Sequence, residues 1–126
     1  MDTNKEIIYK DLSYQVVGLA MDVHNELGGG FLEKVYENAM VVQFKHKDIS
    51  AEQQKPVPVY FKAEVVGEYF ADIVVENKIL LELKVADVIT DMHRAQAFHY
   101  LKATSYRLAL ILNFGKRKLT YERIVI

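Results

Sequence analysis

Three charged residues stand inside segments that otherwise read as buried strand. Asp72 interrupts YFADIVV, and Glu82 and Lys84 interrupt ILLELKV. A buried charge is costly unless it is paired, so charges in such runs need a reason. Glu82 and Lys84 are two residues apart and share one strand face. Between the two runs lies Glu76-Asn77-Lys78. Read as a three-residue hairpin loop, it pairs Val75 with Ile79 and sets Asp72 opposite Glu82. All three polar side chains then project from one face, and Ala71, Ile73, Leu81 and Leu83 from the other. A two-residue loop would set Asp72 opposite Leu81 and split the group. Two carboxylates converging on one point repel unless a proton or a cation lies between them. A hard divalent cation such as Mg2+ or Mn2+ suits oxygen ligands and keeps waters for chemistry. A neighbouring lysine can position such a water or offset charge growing on a phosphate. The competing reading is an ordinary carboxylate–lysine pair across a hairpin.

Other residues could join this group. Glu33 and Glu37 are i,i+4 on a predicted helix and share a face that continues into Met40 and Phe44. They flank the buried side, while Lys34, Asn38 and Lys45 take the wet side. Each is equally readable as a boundary carboxylate paired with a lysine. Gln96 and Tyr100 have the same spacing on a later helix and could contact a substrate phosphate or orient a metal-bound water; a plain helix-surface pair is the alternative. Among the histidines, His24, near a glycine run and Glu33, is the candidate metal ligand. Other chemistries find no support. There is no cysteine, GGG lacks the Gly-Lys-Ser/Thr of a phosphate loop, and no Gly-x-Ser-x-Gly or HExxH occurs.

The elements that must hold these residues follow from periodicity. Leu12, Val16, Leu19, Val23 and Leu27 mark a first helix, stopped by Gly28-Gly29-Gly30. A second helix spans about Leu32 to Lys47, with Leu32, Val35, Tyr36, Ala39 and Val42 as its main apolar stripe. VPVYF, EYFADIVVE and KILLELKV then read as strands. Pro56 and Pro58 put the first of these at a sheet edge. A third helix begins near Thr90 or Asp91 and ends near Ala103. YRLALILNF reads as a strand covered on both faces, GKRKL as a turn and LTYERIVI as a last strand. The expected fold is α/β (α+β), with a mixed central sheet flanked by helices.

The chain of 126 residues shows no linker or repeat, so a single domain over residues 1–126 is expected. Its apolar content of 51% argues against disorder. The formal net charge of -1 does not announce a nucleic-acid binder, although one local basic face would suffice. Lys116-Arg117-Lys118 is the densest basic run, read first as a solvated turn and second as a phosphate-contacting patch. No run approaches the roughly 20 apolar residues of a membrane span. The opening MDTNKEIIYKDLSY lacks the apolar core of a signal peptide. A cytoplasmic protein with no membrane partner is the expectation.

Assembled, these residues resemble the PD-(D/E)xK nuclease superfamily, in which an acidic residue entering one strand is followed by Glu-x-Lys on the next. Here the pattern is Asp72, then Glu82-Leu83-Lys84. The chain looks most like the small GxxExxY proteins, whose signature is carried by Gly30-Phe31-Leu32-Glu33-Lys34-Val35-Tyr36. GEYFADIVVENKILLELK and NFGK also look typical of that group. Ala71 stands where the superfamily often has proline. The resemblance implies a restriction-endonuclease-like core and Mg2+- or Mn2+-dependent phosphodiester cleavage. It implies a nucleic-acid substrate, DNA before RNA, and leaves a homodimer or larger complex open. It implies that Asp72, Glu82 and Lys84 are catalytic and that a helix glutamate helps hold the metal. By distance to the following strand Glu37 suits that role better than Glu33, and both stay open. Gln96 and Tyr100 match the Gln-xxx-Tyr helix of the RecB-like branch and would contact substrate. A noncatalytic nucleic-acid- or protein-binding module that keeps the fold is the alternative.

Overall fold

A computed structural model describes residues 7–126 of the chain. The first six residues, on which part of the leader reading rests, lie outside the described residues. The element order is α1 (Lys10–Leu27), α2 (Glu33–His46), β1 (Ala51–Phe61), β2 (Glu64–Val75), β3 (Ile79–Lys84), α3 (Asp91–Lys102), β4 (Leu108–Phe114) and β5 (Leu119–Val125). The strands form one sheet in the order β1-β2-β3-β4-β5. Its pairings are antiparallel except for parallel β3–β4, which α3 connects. This is the expected mixed sheet with flanking helices, in an α+β fold.

The two sheet faces bury different helices. On one face α1 and α2 pack against Ile73, Val75, Ile79, Leu81, Leu83 and alternate residues of β4. On the other, Ala97, Tyr100 and Leu101 of α3 cover Val74, Leu80, Ala109 and Ile111. β4 is buried at every position, as a strand covered on both sides should be. The prolines do lie on an edge strand, β1. β1 and β2 extend well beyond their apolar cores and join through Lys62 and Ala63, both with positive φ. The result is a hairpin arm longer than the sequence suggested.

α1 ends at Gly28, whose φ of 74 suits glycine and whose N–H bonds the His24 carbonyl. For α2 the buried face differs from the expected stripe. Leu32, Val35 and Val42 are exposed, and the residues buried are Tyr36, Glu37, Met40 and Phe44. Tyr36, a member of the expected stripe, is anchored by its ring stacking on Phe114 at 4.7 Å, and beside it Glu37, Met40 and Phe44 turn inward. The basic run Lys116–Lys118 is an exposed turn between β4 and β5.

That turn meets the glycine run. A Cβ placed on Gly29 would stand 2.6 Å from the Lys116 Cα, a backbone atom with no flexible end to yield. Gly29→Ala is therefore expected to destabilise the chain by about 1–3 kcal/mol, as overpacking does. Urea denaturation measures this, and an unchanged midpoint would show that the two loops are not in contact.

Candidate active site

The β2–β3 hairpin has the register that groups the charges. Val75 pairs with Ile79, Val74 with Leu80 and Ile73 with Leu81. Glu76 and Asn77, both with positive φ, make the loop. Backbone pairing then stops, and Asp72 Oδ2 accepts the Leu83 N–H at 2.8 Å. The strands part at this point, with a carboxylate in place of the next ladder bond.

One detail departs from simple alternation. Ala71 does not share a face with Ile73. It packs with Val57 and Val74 in the α3 cluster, whereas Ile73 packs with α1 and α2. The strand is bent at Asp72, across from Gln54, whose φ of 54 is unusual for a non-glycine residue. This bend brings α2 into the site although α2 covers the opposite face. Gln54 Nε2 donates to Glu37 Oε1 at 3.0 Å and reaches toward Asp72 Oδ1 at 3.5 Å. Gln53 and Lys34 donate to Glu37 Oε2. Glu37 is thus buried with both oxygens engaged. Glu33, one turn earlier, is exposed, and its charge is felt at Asp72, Glu82 and His93. Gln53 and Gln54 escaped the sequence reading. Two adjacent amides at the start of an edge strand were the available signal, but the bend that aims them was not visible there.

Glu82 is 4% exposed, and its Oε2 has no hydrogen-bond partner. Burial pushes its carboxyl up to about 9, and the Asp72 charge adds to the effect; the Lys84 ammonium and the Asp72 backbone amide oppose it. Burial also raises Asp72, against the Leu83 N–H, with Glu37 and Glu33 adding to the rise. Lys84 Nζ donates to Gln96 Oε1 at 3.1 Å, and Gln96 Nε2 donates to Tyr100 Oη at 3.1 Å. Tyr100 is buried and lies against the Tyr69 ring. The structure thus brings Gln96 and Tyr100 to the site, with their polar atoms engaged in holding Lys84.

Beside Lys84 in β4, Asn113 is buried and fixes the following loop by bonding both the N–H and the carbonyl of Ala86, each at 3.0 Å. α3 is tied to β5 by a fork from Arg94 to both oxygens of Glu122. His24 is not drawn into the carboxylate group. It is buried beside Phe114, with Nε2 2.6 Å from the Gly115 carbonyl. A carbonyl only accepts, so Nε2 carries the proton and the lone pair of the ring remains on Nδ1.

A family model described as the PD-(D/E)XK nuclease superfamily matches residues 10–124. The crystal structure of SSO0001 has a similar fold, with a TM-score of 0.58 at 17% identity over 74% of this chain. The match covers 50% of that protein, so the chain spans about half of its length. No curated protein matches the sequence significantly.

The raised carboxyls make a pH prediction for metal-free protein. Between the ordinary glutamate value of 4.5 and about 9, folded Glu82 keeps a proton that the unfolded chain has released. Stability in EDTA should therefore fall as pH rises through that window, by up to about 1.4 kcal/mol per unit. Glu82→Gln should flatten the slope and be the more stable protein at pH 8–9. Denaturation midpoints at several pH values read this out; equal slopes for the two proteins would mean that Glu82 is not buried as described.

Proposed function

The chain belongs to the PD-(D/E)XK nuclease superfamily, and from that premise we propose that it is a divalent-metal-dependent nuclease, acting on DNA before RNA, of the GxxExxY type. The observation that carries this reading is the unpartnered, buried Oε2 of Glu82 beside the Asp72 carboxylate. A buried acceptor without a donor is costly and invites a cation. Among the described residues no three His, Asp or Glu side chains form a closed cage. The donor set would have to draw together on binding.

The residues present fit a hard cation. Asp72 and Glu82 would hold it through oxygen, as Mg2+ and Mn2+ require. When bound, such an ion lowers the pKa of a water and offsets charge on the phosphate. Between the two helix glutamates, the exposed Glu33 is the better third ligand, because the oxygens of Glu37 are already committed to Lys34, Gln53 and Gln54. Glu37 then acts through Gln54, which spans from it toward Asp72. Lys84, steered by Gln96, presents its ammonium to the attacking water or to a phosphate oxygen.

The test is a cleavage assay on single- and double-stranded DNA and RNA with Mg2+ and Mn2+. Asp72→Ala, Glu82→Ala and Lys84→Ala should each lower the rate by about a hundredfold or more. Mn2+ should raise the melting temperature of the wild type and do so less for Asp72→Asn. Glu33→Gln should increase the metal concentration required. Glu37→Gln should mainly reduce stability, by about 1–3 kcal/mol, through loss of a charged acceptor facing three donors. Absence of cleavage and of any Mn2+ shift would leave the noncatalytic binding module as the better reading. Cleavage unchanged in Lys84→Ala would place the activity elsewhere.

A further inference from the structure

A cleft of about 960 Å3 runs from Lys84 and Gln96 along α3 to the β1–β2 hairpin arm. That volume is at the upper end for ligand pockets, so room does not exclude a nucleotide chain. The arm contributes Tyr60 and Tyr69, which are 62% and 52% exposed and present open ring surface. α3 contributes His93, His99 and Lys102. Among the described residues, none of those lining the cleft is Asp or Glu, in a chain that carries 17 acidic residues against 16 Lys and Arg. The groove between α1 and α2 has the opposite character, being lined by Asp22 and Glu26. The acid-free, aromatic cleft is thus a local departure from a chain that is slightly acidic overall.

We propose that this cleft holds an unpaired nucleic-acid strand leading to or from the scissile phosphate, with bases against Tyr60 and Tyr69 and phosphates toward His99 and Lys102. The proposal rests on the nuclease reading above and adds strand type to it. Aromatic faces beside cations suit a polyanion with planar groups. In a duplex the base faces are occupied by their neighbours and can be offered to a protein ring only after unstacking. A second protein copy fits less well, since lysine is depleted from protein interfaces and this cleft contains two. Tyr69 also packs against Tyr100, which bonds the Gln96 that steers Lys84. Stacking on the arm is therefore linked to the residue placed at the phosphate.

The test is binding of the full chain, in EDTA, to fluorescein-labelled oligothymidylate and oligouridylate of about twelve nucleotides, within the usual range for strand-binding sites. A mixed-sequence duplex of the same length is the comparison. Either single strand should bind about tenfold or more tightly than the duplex. Tyr60→Ala should weaken strand binding about tenfold, and Tyr60→Phe should retain it. Tyr60 is exposed, so its removal should leave the thermal melt unchanged. Lys102→Ala should reduce the slope of log K against log salt by about 0.7. Preference for duplex, no strand binding, or full binding by the Tyr60→Ala, Tyr69→Ala double variant would each overturn the proposal. A dimer in sedimentation that Tyr60→Ala dissociates would overturn it too, by assigning the cleft to a second copy. Because no metal is present, loss of the nuclease reading would appear only in the cleavage assay. A failure confined to the cleft would appear only here.

Discussion

The fold holds a carboxyl oxygen of Glu82 in its interior without a hydrogen-bond partner, and Asp72, Lys84 and the Leu83 amide are arranged around that group. A strand buried on both faces would ordinarily have leucine or valine at this position. The sequence instead stops the β2–β3 ladder at Ile73, directs the Asp72 carboxylate to the vacated Leu83 amide, and places Lys84 two residues further on the same face. None of these groups neutralises Glu82 by direct contact at Oε2. The resulting instability is tolerated by a domain whose central strands β3 and β4 are otherwise largely apolar and buried. A proton satisfies Glu82 in the metal-free protein, and the proposed cation would take its place. Local destabilisation of this kind is characteristic of sites whose residues are selected for chemistry above packing.

Much of this was legible in the sequence because strand geometry leaves few choices. A period of two and a three-residue loop fix which residues face each other, so Asp72, Glu82 and Lys84 could be grouped from spacing alone. The order of elements was equally readable, since helical and strand periods occupy separate blocks along the chain. What was not legible depended on tertiary contacts. Leu32, Val35 and Val42 are as apolar as Met40 and Phe44, and only the docking of Tyr36 decides which set is buried. The bend at Gln54 and Asp72 leaves no mark in the alternation of β2 as written, and it is why Ala71 changed faces. His24 lies close in sequence to the glycine run but bonds a carbonyl 91 residues away.

Gln96 and Tyr100 show how a pairing read from spacing takes its place from the tertiary structure. Their i,i+4 spacing places them together, but the distance to Lys84 is a property of the β3–α3–β4 crossover. The crossover is held by Asn113 at its first turn and by Arg94 with Glu122 on β5. These contacts tie the loop before α3 to β4 and α3 itself to β5. A lysine has a long, flexible stem, and its ammonium is a point charge with no preferred direction of approach. Gln96 supplies the direction, and the Tyr100 hydroxyl fixes the amide so that its oxygen faces Lys84.

The segment from Gly30 to Tyr36 divides a comparable task among its residues. Gly30 adopts φ 109, where a side chain would be strained, and lets the chain reverse direction between α1 and α2. Tyr36 is fully buried, donates its hydroxyl to the Gly28 carbonyl at 2.6 Å and accepts the Phe31 N–H at 3.2 Å. One ring thus fastens both sides of the reversal while stacking on Phe114 at the end of β4. α2 has no side-chain cap of its own, so this anchor does what a cap would do. The position of Glu33 at the first turn of α2 is consequently set by a tyrosine one turn away and by the end of a strand on which the site itself does not lie. An exposed carboxylate is free to move with its side chain, but its backbone is fixed by the core. That combination suits the cation-ligand role proposed for Glu33, which calls for a mobile carboxylate on a fixed backbone.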